Sequence, residues 1–258
     1  MVVSNGRSSG FPNASDISDK CGVTLSFAEV KAIPAPDCLL LKNTPRNRPI
    51  VIVDDGTDVA VELIKKLNDR AVALTFNSRR NKICDRSITL RGNDENSLTA
   101  ALKDIENKYG TVGGFIYMDS SNTQPGWSLL AAKHVKNSLH QNINNGRCFF
   151  LGITRMDGQL GFTGKTITPS PTLSESVLNT AERGSIFGLV KTLGLEWPDV
   201  YCRAVDLALN IRSDSDAATY LYNEIYDSDR CLREVGYDDR GQRWTTCPSG
   251  LRSEKGVR

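Results

Sequence analysis

The sequence has no long hydrophobic run and no large excess of either charge. No apolar stretch approaches the ~20 residues that a helix needs to span a bilayer, and residues 1–20 contain no apolar core like that of a signal peptide. The formal net charge is only +2, so nothing indicates a nucleic acid or a membrane surface as a partner. We therefore expect a cytoplasmic protein with neither kind of partner.

Metal-binding and disulfide patterns are also absent from the sequence. The only two histidines, His134 and His140, are six residues apart in a predicted helix, so they lie on different faces of it. These residues predict no metal site. The seven cysteines form no CxxC pair, which favours reduced thiols over a disulfide framework; they are Cys21, Cys38, Cys84, Cys148, Cys202, Cys231 and Cys247.

What the sequence does contain is a regular alternation of strand and helix patterns. Apolar residues at helical spacing predict helices at 58–69, 96–110, 127–143, 176–196 and 218–227. Short apolar runs predict strands between them, at 49–55, 71–76, 82–90, 113–119, 147–154 and 201–207. Because parallel strands need crossover helices, this alternation predicts an α/β fold, a doubly wound parallel sheet on the Rossmann plan. Two strand-like runs around DDRG add a C-terminal hairpin.

Composition divides the chain into four predicted parts. Residues 1–22 are rich in Ser, Asn and Gly, which indicates a flexible leader. Residues 23–48 combine alternating apolar residues with prolines, which indicates an edge strand and a linker. The Rossmann-like domain is expected at 49–247, with a tail or linker at 248–258.

The turn after the first predicted strand of this domain, VDDGTDVAVEL, is unusual for a dinucleotide site. Such a site needs several glycines, so that backbone N–H groups can approach the pyrophosphate. This turn has one glycine, Gly56, and three carboxylates, Asp54, Asp55 and Asp58. Because negative side chains oppose a pyrophosphate, we interpret the acids as caps of the following helix.

A pair of arginines follows the second of these strands, in TFNSRRNK. Arg79 and Arg80 stand where a reductase that prefers a 2′-phosphorylated nicotinamide cofactor would place cations. Without the glycine loop, the pair is more typical of a solvated surface.

The stretch NTAERGSIFGLVKTLGLEW, residues 179–197, is similar to the helix that carries the catalytic Tyr and Lys of short-chain reductases. Asn179 and Arg183 occupy those two positions. An amide cannot replace the acid, since it has no proton that dissociates in the useful range, and Arg183 lacks the compact geometry of a lysine. The expected serine is also missing from LGITRMDGQLGF, where only Thr154, placed too early, and the run Arg155, Met156 and Asp157 are found.

Other catalytic motifs are not found either. There is no GxSxG elbow, and GFTGKT at 161–166 lacks the spacing of a phosphate-binding P-loop. Asp119 and Asp206 end predicted strands, where sites of α/β proteins form, but each can equally cap a helix. The sequence therefore predicts no catalytic, cofactor-binding or metal-binding residue in this chain.

The run GLVKTLGLEWPDVYCRAVDL, residues 188–207, closely resembles the ketoreductase regions of polyketide synthases and polyunsaturated fatty acid synthases. The resemblance extends over about residues 30–247, through PIVIVDDGTDVAVELIKKL, GGFIYMD, FFLGITRMDGQLGF and EVGYDDRGQRWT. Such a ketoreductase has two short-chain-reductase-like halves. One is a structural subdomain without cofactor, and the other uses NADPH to reduce a β-ketoacyl group held on an acyl carrier protein.

The resemblance implies that this chain is the structural, non-catalytic half. Its implied partners are the catalytic half and neighbouring synthase domains of the same polypeptide, with acyl carrier protein as a further candidate; NADPH would bind only in the catalytic half. Two alternatives stay open: an active NADP-dependent reductase with a rearranged site, and a free-standing pseudo-reductase that acts as an interaction domain.

We expect the interface with the catalytic half to include residues 22–36 and the C-terminal hairpin. The early segment alternates apolar residues in the manner of an edge strand that needs a partner: Val23, Leu25 and Phe27. The hairpin is expected to leave two aromatic side chains to be covered, Tyr237 and Trp244.

Overall fold

The computed structural model describes residues 28–40, 43–76, 83–119, 126–163 and 173–248, without the side chains of 173–180 and 182. Several predictions therefore fall outside the described residues. These are the leader at 1–22, the residues Val23, Leu25 and Phe27, the pair Arg79 and Arg80, the GKT motif, and all of the tail except Pro248.

Nine strands form one sheet in the order β1-β9-β8-β7-β6-β5-β2-β3-β4. Neighbours from β4 through to β8 pair in parallel, and only the C-terminal hairpin of β8 and β9 is shown to be antiparallel. The strands are β1 (Ala28–Ile33), β2 (Ile50–Val53), β3 (Ala71–Thr75), β4 (Ser87–Thr89), β5 (Gly114–Met118), β6 (Phe149–Thr154), β7 (Tyr201–Leu207), β8 (Glu234–Tyr237) and β9 (Arg243–Pro248).

In the described part of the chain, five α-helices connect parallel strands and cover both faces of the sheet. On β2, Val51 and Val53 pack into one core layer, and Ile50 and Ile52 pack into the other. Helices α2, α3 and α4 cover the first layer, whereas α1 and α5 cover the second. The helices are α1 (Asp58–Leu67), α2 (Glu95–Tyr109), α3 (Trp127–Gln141), α4 (Leu173–Glu196) and α5 (Asp214–Tyr226). The doubly wound α/β fold with a C-terminal hairpin is thus confirmed.

The helix boundaries differ from the predicted ones where the first turn is polar. Helix α5 begins at Asp214, ahead of the predicted 218–227, because Ser213 caps it by accepting a hydrogen bond from the Asp216 N–H at 3.0 Å. Helix α2 begins after a similar cap, Asp94, which accepts from the Ser97 N–H at 2.9 Å. The predicted strand at 82–90 is reduced to three residues, Ser87–Thr89.

The residues from Val30 to Thr246 form one compact unit. The described residues of the second unit are Ala28, Glu29, Cys247 and Pro248, and in it the Cys247 Sγ lies 3.9 Å from the Glu29 carboxylate. Within the described part of the chain, no helix combines the length and the apolar character needed to cross a membrane.

Candidate functional site

The sheet reverses its direction of winding at β2, whose neighbours are β3 on one side and β5 on the other. In an open α/β sheet, ligands bind in the crevice outside the carboxyl ends of the strands at such a switch point. Among the described residues, Asp54 follows β2 and Asp119 follows β5 at this edge. A ligand site of this fold is therefore expected there.

Two carboxylates fold back onto the turn between β2 and α1. Asp54 Oδ1 accepts a hydrogen bond from the Gly56 N–H at 2.9 Å, and Asp55 Oδ1 accepts one from the Thr57 N–H at 2.9 Å. Thr57 Oγ1 also donates to Asp55, at 2.7 Å. Gly56 adopts a φ of +84°, a left-handed conformation that glycine tolerates best.

The interpretation of these acids as helix caps is wrong for Asp54 and Asp55. The N-cap of α1 is Thr57, whose side chain makes no capping hydrogen bond, and the two acids bind amides that precede the helix. Only Asp58 lies in the first helical turn, where a negative charge is favourable. Asp54 and Asp55 do not cap α1, because an aspartate carboxylate readily accepts a hydrogen bond from the amide two residues further along the chain and so forms a local turn.

This turn matters because its amides are the groups that a Rossmann fold offers to a pyrophosphate. The N–H groups of Gly56 and Thr57 are already bonded to carboxylates. Asp54 is buried with 3% of its surface exposed, and burial raises the pKa of Asp55 from its ordinary value. The residues of this turn therefore do not fit a dinucleotide pyrophosphate, which would meet negative side chains in place of free amides.

An aromatic cluster fills the same edge of the sheet beside this turn. The rings of Phe76 and Trp127 meet edge to face with centroids 5.1 Å apart, and Tyr117 stacks on Trp127 at 6.4 Å. All three side chains are buried. Large rings thus occupy space next to the carboxyl ends of β3 and β5.

Asp119, at the end of β5, is not the cap of the following helix. The N-cap of α3 is Gly126, and no side chain caps that helix. The backbone N–H of Asp119 donates to the Ile153 carbonyl at 2.9 Å, which extends the pairing of β5 with β6.

The loop after β6, where a reductase would place its serine, is held together by Asp157. Its Oδ1 accepts from the N–H groups of Gln159 and Gly161, both at 2.8 Å. Its Oδ2 accepts from the N–H of Thr163 at 3.0 Å and from the hydroxyl of the same residue at 2.6 Å. Despite partial burial, these hydrogen bonds lower the pKa of Asp157. The carboxylate fixes the loop from within.

Asp206 tethers the same loop to the end of β7. It is fully buried and accepts hydrogen bonds from the Met156 N–H at 2.7 Å and the Leu160 N–H at 3.0 Å. Burial raises its pKa to about 7. The expectation that Asp206 caps a helix is wrong, because α5 begins at a separate cap, Ser213. A buried acid at a strand end satisfies backbone amides of whichever loop covers it.

The reductase-like helix α4 contacts this loop through Arg183. The Arg183 Nη1 donates to the Arg155 carbonyl at 2.6 Å, so the cation at the position of the expected lysine supports the loop backbone. The side chain of Asn179 lies outside the described residues. Thr154, set aside as too early for a catalytic serine, is fully buried.

The two histidines contact different parts of the fold. His134 Nε2 lies 2.6 Å from Glu95 Oε1 on α2, whereas the ring of His140 packs edge to face on Trp197 at 5.8 Å. Among the described residues, no group of three or more His, Cys, Asp or Glu side chains could hold a metal ion.

A buried ion network, which the sequence did not predict, joins β7, α5 and β9. It consists of Arg203, Arg243, Glu224 and Asp227. Asp227 Oδ2 lies 2.6 Å from both guanidinium groups, and Arg243 Nε lies 2.7 Å from Glu224 Oε1. Single charged residues spread over 40 positions give no periodic signal, so only the fold shows that they meet.

The expectation that Tyr237 leaves apolar surface to be covered is wrong. Tyr237 is 2% exposed, donates its hydroxyl to Glu224, and stacks on Tyr220 with centroids 4.5 Å apart. The other aromatic residue expected to need cover, Trp244, is half-buried and donates its indole N–H to Asp238 at 3.0 Å.

The fold defines a class: the chain is a short-chain-dehydrogenase/reductase-like α/β domain. Many solved structures share its architecture, and two of them illustrate the match. An N-terminal ketoreductase from a macrolactin assembly line matches with a TM-score of 0.56 and 11% identity, over 95% of this chain and 52% of the other. A short-chain dehydrogenase from Burkholderia cenocepacia in complex with NADP matches with a TM-score of 0.58 and 10% identity, over 76% of this chain and 98% of the other.

The sequence match is to a synthase. The chain is 36% identical over 234 residues to one of the subunits of a polyunsaturated fatty acid synthase from a Thraustochytrium species, and the match covers 86% of this chain. It spans only 8% of that relative's length. No family model matches the chain. The resemblance to the short-chain-reductase-like ketoreductase regions of such synthases is confirmed.

Proposed function

We propose that this chain is a non-catalytic structural subdomain of a ketoreductase in a polyunsaturated fatty acid or polyketide synthase. It would support a catalytic half that reduces β-ketoacyl thioesters on a carrier protein with NADPH. The observation that carries the proposal is the closed turn after β2, where Asp54 and Asp55 bind the amides of Gly56 and Thr57. When these backbone amides are bonded within the chain, the fold is kept but the amides are not available to bind a pyrophosphate.

The loop after β6 supports the same proposal. Its backbone is held by Asp157 from within and by Asp206 from β7. Asn179 and Arg183 replace the acid and its lysine on α4. Because every element of the reductase site is altered together, a single rearranged residue does not explain the pattern.

The partner that this proposal requires is a catalytic reductase half on the same polypeptide. The described edge strand β1 ends the sheet on one side, with its residues exposed or half-buried along its whole length. An exposed strand edge presents unpaired backbone groups, which makes it suitable for pairing with another domain. The interface would combine residues 22–36 with the hairpin of β8 and β9, which lies next to β1 in the sheet.

An active NADP-dependent reductase remains the alternative from a different class. The fold favours it in general, since the Burkholderia cenocepacia enzyme was solved in complex with NADP. The acidic turn counts against it in this chain.

The proposal is tested by titrating the whole chain with NADPH and measuring binding by calorimetry and by the fluorescence of the cofactor. We expect no saturable binding at micromolar concentrations and no NADPH oxidation with a β-ketoacyl thioester. An active short-chain reductase titrated under the same conditions is the positive control. A micromolar dissociation constant that is lost in Gly56→Val would overturn the proposal, because it would place a cofactor at this turn.

If the chain does oxidise NADPH, a second variant tests whether Asn179 on α4 is responsible. Under the proposal, Asn179→Ala leaves any residual turnover unchanged, since an amide supplies no proton. Loss of turnover in this variant would mean that α4 carries a working site.

A further inference from the structure

Arginines gather at the edge of the sheet opposite to the reductase-like site. Arg46 and Arg48 directly precede β2, Arg70 precedes β3, and Arg86 precedes β4. Because the amino ends of parallel strands lie along one edge, the topology brings these four cations together, although up to 40 residues separate them in the sequence.

Three adjoining cavities run along this edge and share lining residues. The central one, of about 460 Å³, is lined by Asn43, Thr44, Arg46, Asn47, Arg48 and Asn145. A cavity of about 550 Å³ continues it past Asp69, Arg70 and Arg86, and another of about 560 Å³ continues it past Arg147, Asp199 and Arg230. We call the three together the amino-edge groove. Its lining is mostly polar and carries six arginines against two aspartates.

Some of these arginines have structural partners within the chain. Arg70 Nη1 donates to the Thr44 hydroxyl at 2.7 Å, the Arg86 guanidinium lies 4.2 Å over the Tyr109 ring, and that of Arg147 lies 3.4 Å over the Tyr201 ring. These contacts fix the walls of the groove. The Nε atoms of Arg70 and Arg86 are nevertheless buried without a hydrogen-bond partner.

Arg46 and Arg48 are different, because neither forms a hydrogen bond or ion pair with any residue that the structure describes. Arg46 is exposed. The side chain of Arg48 lies along the turn between α2 and β5, where only glycines leave it room: a Cβ atom on Gly110 would lie 3.1 Å from its Nη1, and one on Gly113 would lie 2.9 Å from its Cβ. Both cations line the central cavity, and neither has an ion-pair partner among the described residues.

We propose that the amino-edge groove binds an acidic segment of a partner polypeptide. Arginine and asparagine side chains suit carboxylates and peptide groups, the former through paired N–H donors. A single compact phosphate would contact only part of this lining, because the arginines are spread over three adjoining cavities. The elongated groove, with arginines spaced along it, matches charges distributed along a chain. This site is independent of the proposed function, since it lies at the opposite edge of the sheet from the cofactor position.

Fluorescence anisotropy of a labelled peptide of alternating glutamate and serine tests the site on the whole chain. We expect saturable binding that weakens as salt rises, since charge pairs at a surface are screened within about 8 Å at physiological ionic strength. The same peptide with glutamine in place of glutamate should not bind. The double variant Arg46→Gln/Arg48→Gln should weaken binding by about tenfold or more.

A matched control separates the groove from net charge. Arg91→Gln/Arg240→Gln removes two exposed arginines outside the groove, so both double variants lower the formal net charge from +2 to 0. Equal losses in the two variants, or no binding by the unaltered chain, would overturn the proposal. Displacement of the peptide by micromolar pyrophosphate would overturn it in favour of a compact phosphate ligand.

Peptide-induced changes in the amide NMR spectrum give a readout that needs no variant. Changes confined to Asn43–Arg48 and Asn145 would support the groove. Changes confined to the opposite edge, around Asp54–Thr57, would contradict it.

Discussion

At the scale of single residues, four charged side chains are buried together in the core. Arg203 and Glu224 are fully buried, and Asp227 and Arg243 nearly so. Although burial works against the charged form, the Glu224 carboxylate raises the pKa of Arg203 above its ordinary value. The network is formally neutral, with two cations and two anions, so removing one member leaves an uncompensated charge inside the protein.

We expect Glu224→Gln to destabilise the fold by about 3–5 kcal/mol, the usual cost of breaking a buried ion pair from one side. Urea unfolding followed by circular dichroism measures it. Glu62→Gln is the control, because Glu62 pairs with Lys65 at the protein surface, with 2.7 Å between Lys65 Nζ and Glu62 Oε1. This substitution should change the free energy of unfolding by less than about 0.5 kcal/mol. Similar small effects in both variants would mean that the network contributes little.

Asp206 should make stability depend on pH. Its pKa is about 7 in the folded chain, against ~3.9 for an unfolded aspartate, so the folded state holds the extra proton between these values. The contribution of this group is therefore fully present below about pH 4 and is lost as the pH rises through about 7.

Comparison of the unaltered chain with Asp206→Asn across this pH range isolates the effect. As the pH rises from about 4 to about 7, we expect the free energy of unfolding of the unaltered chain to fall relative to that of Asp206→Asn. The change should be at most about 4 kcal/mol, since one pKa unit is worth about 1.4 kcal/mol. A difference that does not change with pH would show that Asp206 titrates normally in the fold.

At the scale of elements, the two faces of α4 differ in how closely they are packed. The inner face packs tightly on β6, whereas the outer face carries an exposed glycine. Ile186 and Val190 pack directly over Gly152 of β6: a Cβ atom at Gly152 would lie 2.4 Å from Ile186 Cγ1. Gly188, within the same helix, is exposed, and a Cβ atom there would meet nothing within 4 Å. Gly152 is needed because the helix packs closely against it, whereas nothing in the helix requires a glycine at position 188.

Two alanine variants should therefore have opposite effects. Gly188→Ala should stabilise the fold by about 0.5–1 kcal/mol, because alanine is the better helix former. Gly152→Ala should destabilise it by about 1–3 kcal/mol through overpacking. Thermal unfolding of the two variants provides the measurement, and destabilisation by Gly188→Ala would reveal a contact of the outer face that the isolated chain does not show.

At the scale of the whole molecule, the question is what pairs with the exposed end of the sheet. Under the proposed function, co-expression with a catalytic reductase half gives a stable complex, and deleting residues 22–36 abolishes it. Removing residues 1–21 alone should leave the complex intact. Affinity co-purification compares the two deletions.

The deletion also removes residues that contact the hairpin, since the Arg243 Nη1 donates to the Pro34 carbonyl at 3.1 Å. Hydrogen exchange in the complex with the undeleted chain therefore provides a second measurement. Slower exchange of residues 28–33 on complex formation is expected, and unchanged exchange there would place the interface elsewhere.

Much of the fold could be predicted because a buried parallel strand must be apolar on both faces. The runs that form β2, β3, β5 and β6 show this, and a helix pattern follows β2, β5 and β6. The boundaries of α5 could not be predicted from apolar spacing, because its first turn is Asp-Ser-Asp and depends on the Ser213 cap.

The sequence by itself determined the α/β class and the order of strands and helices along the chain, and it shows a single glycine after the first strand of the domain and Asn179 and Arg183 on the reductase-like helix. These properties depend on residue type and on local spacing. Only the tertiary structure decided where isolated polar residues act. Asp54 and Asp55 close their own turn, Asp206 holds a loop 50 residues away from it in sequence, and four arginines before three strands line one groove. The physical reason is that a charged group is stabilised by whatever the fold places within a few ångströms of it, and distance along the chain carries no record of that.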